Sequence, residues 1–413
     1  MRISHSFERP KWHWVLLSHA LLILSLLPFQ ANAEIQWRES SLWRSAAVLP
    51  KGQHSWSARI SGQKVQSKFD DSGALEPLGQ PYEQKWQWGD LLSSQQSKVA
   101  QEEIRQYMKS NSISENDVAA TSGFDIQREE IRFDLSWAYG LTKKWMFGVF
   151  VPISQVTTHI HPEVHIANQP AQEMTILSQK QNNVRKMVEG VIQQKLENQG
   201  FRNVTEERRQ IIWGDVSLLN QYQFVQQESF RWSFQQILKM PTSRNQSLSD
   251  FARITRDEGQ IDLGVTSLLE HNFGPTLGIF GLGYVNQLPG PVRVPQYNRE
   301  KDQLENDVEI TRDLGDYFWT GLEARYAFSP KWKFDVAYRY FSKGSDSWEN
   351  GVVDENSRQQ AHLARIEASY IFARSYRYEI EKKWTLNLQA QTTLAGVNMD
   401  KSTTAGFEIQ TYF

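Results

Sequence analysis

Cysteine is absent from the chain, so no disulfide framework, thiol nucleophile or thiolate metal site can be built from it. An excess of either charge is absent too. The 45 Lys and Arg stand against 47 Asp and Glu, a formal net charge of −2, which excludes the basic footprint of a nucleic-acid binder. Beyond the N-terminal region, no apolar run reaches the ~20 residues that a membrane-spanning helix needs. Mean hydropathy is −0.56, which alone suggests a soluble secreted protein. What is present disagrees: Phe, Trp and Tyr make up 12% of the chain, with 15 Trp, and this suits a barrel whose strand ends sit in two aromatic girdles.

The first 33 residues read as a secretory signal. Arg2, Arg9 and Lys11 form a basic region, Val15 to Leu27 the apolar stretch, and Ala31-Asn32-Ala33 a small-residue cleavage site, so the mature chain is expected to begin near Glu34. A membrane anchor is the alternative, and its apolar run is too short. Residues 34–413 then form one domain.

That domain falls into segments with a two-residue period. Trp384, Leu386, Leu388, Ala390, Thr392 and Leu394 share one face, and Thr385, Asn387, Gln389, Gln391 and Thr393 the other. The same grammar recurs at Trp332 to Tyr340, Phe318 to Phe328 and Ile131 to Tyr139. One alternating strand fits a soluble sheet equally well. Repeated long ones fit a closed barrel, in which apolar faces meet lipid and polar faces meet the lumen. The spacing predicts an all-β transmembrane barrel of about twelve antiparallel strands, near 54–69, 126–140, 144–158, 211–226, 229–241, 259–273, 275–288, 308–328, 331–343, 359–373, 383–396 and 402–413. The even count returns both ends to the periplasm.

Three tight turns place a basic residue before tryptophan: Lys144-Trp145, Lys331-Trp332 and Lys383-Trp384. Indole at headgroup depth beside a lysine reaching for water marks an interface, so these are read as periplasmic turns, with Trp145, Trp332, Trp384 and the C-terminal Phe413 as anchors. Residues 70–125 and 160–210 are read as long external loops. Each carries helical spacing, in Leu91, Leu92, Val99, Ile104 and Tyr107 and in Leu177, Val184, Met187, Val188, Val191 and Ile192. Such helices would be a lid, a plug or a rim ornament. Phe407, Ile409, Thr411 and Phe413 end the chain on one face, which looks like the signal that the barrel-assembly machinery reads.

Three stretches carry a resemblance: residues 138–153, residues 213–224 leading to Leu238-Lys239-Met240-Pro241-Thr242-Ser243, and residues 315–332. They resemble the outer-membrane family labelled "meta-pathway of phenol degradation", related in outline to channels of the long-chain fatty acid transporter type. The resemblance covers about 124–413 and implies passive uptake of small aromatic or apolar compounds. The family often has glycine after Pro-Thr, where this chain has Ser243.

Two residue sets are candidates for function. His159, His161, Glu163 and His165 occupy alternate positions and would share one face of a strand, the raw material of a metal site. In unbroken register from Trp145 they lie on the lipid side. Fourteen residues at ~3.3 Å, tilted by ~40°, climb roughly 35 Å, above the ~25 Å apolar band and level with lipopolysaccharide sugars. An outer-leaflet enzyme would use His159 with Thr157 beside it, but Ser154 has the opposite parity. The second set is assigned by parity to the lumen: Arg132, Asp134, Asp215, Arg231, Lys239, Asp262, Glu270, Glu323, Arg325, Lys333, Asp335, Arg339, Arg365 and Glu367. Seven charges of each sign argue against strong ion selectivity and leave a structural core of ion pairs open. Gly278 to Gly283 lacks the order of a phosphate loop, and no cofactor is expected.

The expectation is therefore an integral outer-membrane barrel of a Gram-negative cell admitting small, apolar or aromatic solutes. A structural or surface-interaction barrel with a blocked bore is the main alternative, and an outer-leaflet lipid-modifying enzyme the lesser one.

Overall fold

The computed structural model describes residues 44–94, 98–166, 207–243, 260–298, 303–349, 351–354, 357–377 and 380–413, with the isolated positions 186 and 190. The expected signal segment lies outside the described residues, as does nearly all of the second helical pattern.

Twelve strands form the wall: β1 (His54–Val65), β2 (Val118–Gly140), β3 (Trp145–Ile166), β4 (Val216–Gln226), β5 (Phe230–Met240), β6 (Asp262–Phe273), β7 (Thr276–Gln287), β8 (Tyr317–Ala327), β9 (Trp332–Lys343), β10 (Gln359–Arg377), β11 (Ile380–Val397) and β12 (Thr403–Tyr412). Each pairs antiparallel with the next, and β12 pairs with β1 from Ser55↔Tyr412 to Gln63↔Thr404, so the meander closes on itself.

The side chains are arranged inside out relative to a soluble protein. Trp56, Ile60, Ile131, Leu282, Phe334, Val336, Ile366 and Phe407 are exposed, whereas Ser57, Arg59, Asp134, Gln221, Ser233, Gln235, Asn387 and Glu408 are buried. A strand pairs all its backbone groups with its neighbours and turns successive side chains to opposite sides. Hydrocarbon outside and a polar interior satisfy this pattern, and water outside does not. Among the described residues, no helix is long and apolar enough to cross a membrane; the crossing is made by strands.

The wall is uneven. β2 and β3 have 23 and 22 residues, β10 and β11 have 19 and 18, and β4 and β5 only 11 each. A strand of β3's length, tilted by ~40°, climbs about 55 Å, twice the ~25 Å apolar band. The upper halves of β2 and β3 therefore project beyond the bilayer. A small sheet (Ser67–Phe69, Leu75–Pro77, Met399–Asp400), a strand along β2 (Gln84–Gln87) and two helices, α1 (Trp88–Ser94) and α2 (Lys98–Ser110), belong to this projection. On the projecting wall the inward face turns apolar, with Phe124, Ile126, Val156 and Ile160 buried.

Five boundaries differ from the sequence reading. The first strand ends at Val65, and its expected tail joins the small sheet. β2 begins at Val118, inside the expected loop 70–125, and β3 runs to Ile166, inside the expected loop 160–210. Pro162 does not break β3, whose register with β2 continues without a shift from Gly140↔Met146 to Ala120↔Ile166. The expected strand 211–226 is two: Arg208–Trp213 pairs with the upper part of β3, and β4 starts after Gly214 and Asp215. There the Gly214 amide donates to the Pro152 carbonyl at 2.8 Å, and Asp215 Oδ1 accepts from the Ser243 amide at 3.0 Å. The expected strand 308–328 likewise splits into the second arm of a hairpin (Gly290–Asn298, Gln303–Asp313) and β8.

Candidate functional site

The site begins with a segment that carries no strand pattern. Before β1 the chain turns back into the barrel. The Gly52 amide donates to the Gly140 carbonyl at 2.8 Å, and the Gly140 amide to the Gln53 carbonyl at 3.0 Å. Gly140 is required by this close approach: a Cβ there would stand 2.1 Å from the Pro50 carbonyl oxygen and 2.6 Å from that of Leu49. Leu49 then enters an apolar socket of Ala138, Met146, Phe150 and Leu219, flanked by Val48, Ile237 and Tyr412. Further in, Gln221 Nε2 donates to the Ser45 carbonyl at 2.9 Å. Glu270 Oε1 accepts from Ser45 Oγ at 2.6 Å and from the Ala46 amide at 2.9 Å. Arg44 Nη2 donates to Glu367 Oε2 at 2.7 Å, and its Nη1 lies 3.8 Å from Glu323 Oε2. Gln221, Glu270, Glu323 and Glu367 come from β4, β6, β8 and β10, so residues 44–50 run up the axis of the bore as a plug.

Around the plug head lies a layer of ion pairs. Glu323 accepts from Arg365 at 2.5 Å and Arg325 at 2.8 Å, and Arg325 Nε donates to Asp335 at 2.9 Å. On another side, Arg59 and Arg132 share Asp134, at 2.6 and 2.5 Å. Lys239 lies 2.6 Å from Asp262, and Arg231 lies 3.3 Å from Glu270. Such buried pairs contribute little net stability, but leaving one member unpaired is costly, so they hold the interior in one arrangement. Three residues of the lumen set lie outside the pairs just given, Arg339 among them: Asp215 clips the strand break to Ser243, and Lys333 is half-buried opposite Ser369 in the ladder. Arg339 lies flat on Trp319, its guanidinium carbon 3.8 Å from the ring centroid.

Above the ion pairs the bore becomes apolar. Leu268, Trp319, Phe341, Ala361 and Leu363 from the wall meet Ala46 of the plug and Phe69 and Met399 of the small sheet, with Tyr317 packed against them. Trp319 fits because its neighbour carries no side chain: a Cβ on Gly283 would stand 2.2 Å from the indole Nε1. Going outward, the lumen thus offers the plug's apolar socket, an ionic layer and an apolar layer.

The histidines lie elsewhere. His159 is partly exposed, and His161, Glu163 and His165 are exposed, on the face of β3 shared by Phe147, Val151 and Ile153. His159 Nδ1 stands 3.9 Å from Glu207 and His165 Nε2 stands 3.8 Å from Glu163. Among the described residues, no group of three or more His, Asp or Glu converges to hold a metal; neighbours on one face of a strand stand ~7 Å apart at their Cα atoms. Ser154 is buried on the opposite face from His159, so β3 brings no serine to that histidine. At the short-turn rim, Trp145 donates to Asn220, Trp332 lies 4.6 Å from Tyr370 between ring centroids, Trp384 lies 6.3 Å from Phe372, and Phe413 stacks on His54 at 5.7 Å.

Sequence reasoning missed Arg44, Ser45, Ala46 and Leu49, and with them Gln221 as a plug ligand. The available signal was an arginine directly before a run of small residues, Arg44-Ser45-Ala46-Ala47, placed between an expected cleavage site and the first strand.

No known family's sequence model matches the chain, nor does any curated protein. Solved structures do. An outer membrane channel from Pseudomonas putida F1 is 10% identical with a TM-score of 0.53, over 89% of this chain and 98% of that one. A FadL homologue from Pseudomonas aeruginosa (9% identity, TM-score 0.33, 94% and 98% covered) and the toluene transporter TodX from Pseudomonas putida (9%, 0.30, 88% and 90%) are more distant. The closed wall, its apolar exterior and the first of these likenesses together give the chain the fold of an outer-membrane channel, an integral β-barrel of the outer membrane.

Proposed function

We propose that this protein is a channel for small apolar compounds, held shut at rest by its own residues 44–50. The observation that carries the reading is the apolar layer of Leu268, Trp319, Phe341 and Leu363 above the ionic layer of the bore, with a chain segment as its floor. A solute of low polarity gains by leaving water for such a layer, at roughly 25 cal/mol per Å² of apolar surface. Its onward path is blocked by the plug, which is tied to the wall by hydrogen bonds and the two ion pairs of Arg44 instead of by strand pairing. The outward faces of the wall would sit in lipid, the polar His159 to His165 stretch at the level of lipopolysaccharide sugars, and the C-terminal strand would be read by the assembly machinery.

The test is flux into liposomes, with small aromatic solutes, for the wild type and for Arg44→Ala with Leu49→Ala. The expected outcome is a several-fold faster entry and a larger unit conductance in planar bilayers for the double variant. A folded double variant that passes neither solute nor current would favour the alternative of a structural barrel, for which the dense ion pairs of the bore speak.

A further inference from the structure

The contacts of residues 44–50 are those of a peptide in a binding site, and the wall supplies all of the receptor. Glu367 is buried, and its one ion-pair partner among the described residues is Arg44, at 2.7 Å. Its Oε1 has only the Ser369 hydroxyl at 3.5 Å. Arg365 and Arg325 also act on Glu367 through space, but Arg44 is the cation that bonds to it, so losing Arg44 would leave the buried carboxylate without a direct ion-pair partner, which is unfavourable. Glu323 already holds Arg325 and Arg365 and stands 3.8 Å from the other Arg44 nitrogen. One turn of chain away, Glu270 takes a hydroxyl and a backbone amide, while Gln221 donates to a backbone carbonyl. Backbone groups and small side chains are thus read by two polar wall residues, and Leu49 fills an apolar socket. The arrangement has a charged head pocket, a backbone clamp and an apolar anchor.

We propose that the lumen is a receptor for an arginine-bearing peptide, with an apolar residue five positions after the arginine, and that the chain's own segment fills this receptor as a tethered internal ligand. The segment enters from the short-turn rim, where Gly140 lets it pass, so a ligand in trans would come from the same side. A guanidinium is selected over an ammonium because its planar fork spreads the charge: Nη2 donates to Glu367 while Nη1, which makes no hydrogen bond, faces Glu323 at 3.8 Å, a span that a point charge does not cover. The inference is independent of solute transport, since it concerns what binds in the bore and not what crosses it.

The test uses the full-length mature chain with residues 44–49 exchanged for a glycine–serine tract of equal length, in detergent. The probe is a fluorescent peptide Arg-Ser-Ala-Ala-Val-Leu-Pro, the sequence of residues 44–50, followed by anisotropy. The tract chain should bind it roughly thirtyfold or more tightly than the same peptide with alanine in place of arginine, the usual effect of truncating a buried charge partner. Adding Glu367→Gln should remove that preference, and the wild type, its site occupied, should bind neither peptide. Equal binding of the two peptides, no binding to a tract chain that still migrates as a folded barrel, or equal binding to the wild type would each overturn the proposal. If the tract chain does not fold, Arg44→Ala serves: ethylguanidinium should restore its thermal stability and ethylammonium should not, and equal effects of the two would refute the site.

Discussion

At the scale of the residue, the most sensitive position is Gly140. It combines a strand residue with the doorway of the plug, and any side chain there collides with two carbonyl oxygens of the entering segment. Gly140→Ala leaves the strand pairing in place and costs about 1–3 kcal/mol if the plug must stay, the usual penalty of overpacking. The cheaper response is for the segment to leave. Limited trypsin digestion should then cut after Arg44 in the variant at a rate at which the wild type is intact, with the barrel core undigested in both. Parity was the readable signal for a charged lining at this scale, and Arg132, Asp134, Glu323, Asp335, Arg365 and Glu367 are buried. The plug was not legible, because a segment held by its ends and by scattered wall contacts has no period to display. The same alternation set the four histidine-stretch residues outward, and it carried no information on whether they converge.

At the scale of the element, strand existence was legible and strand continuity was not. Both misread strands contain the clue. Ile211 and Trp213 are exposed at odd positions, but Tyr222 and Phe224 at even ones, and Glu309 and Thr311 face out at odd positions before Phe318 and Leu322 at even ones. A single strand cannot exchange its faces without an extra residue, so the change of parity marks a break. At the second break Asp316 ties the top of β7 to the start of β8, accepting from Tyr284, the Gln287 amide at 2.9 Å and Asn286 at 2.9 Å. Partial burial works against its charge, but hydrogen bonds from Tyr284, the Gln287 amide and Asn286 outweigh it and hold the carboxyl below its ordinary value. A carboxyl with a depressed folded pKa contributes stability above its unfolded pKa and loses it as pH falls through the folded one. Asp316→Asn should therefore lower the unfolding temperature at pH 7 and leave it nearly unchanged at pH 2. The comparison is made by heating samples at both pH values and following barrel migration on gels; an equal loss at both would show that the charge is irrelevant.

At the scale of the whole molecule, the claim is that one set of alternate residues meets hydrocarbon, its neighbours meet a filled interior, and the long β2–β3 wall stands outside the cell. The absence of cysteine makes this directly measurable, because a single introduced thiol is the only one in the chain. Three classes of position separate the possibilities. Ser72 and Ser110 are exposed on the external projection, Lys143 and Lys331 are exposed in short turns, and Val336 is an exposed apolar residue midway along β9. In intact cells, a membrane-impermeant maleimide should label Ser72→Cys and Ser110→Cys. It should reach Lys143→Cys and Lys331→Cys only after the outer membrane is permeabilised. It should fail at Val336→Cys in both conditions, since a charged reagent does not enter hydrocarbon, and label it fully once detergent and heat unfold the barrel. Labelling of Val336→Cys in intact cells would mean that the apolar face meets water, and the inverted result at the turns would place the plug's doorway on the outside. Either outcome would reverse the direction from which a solute or a peptide meets the bore.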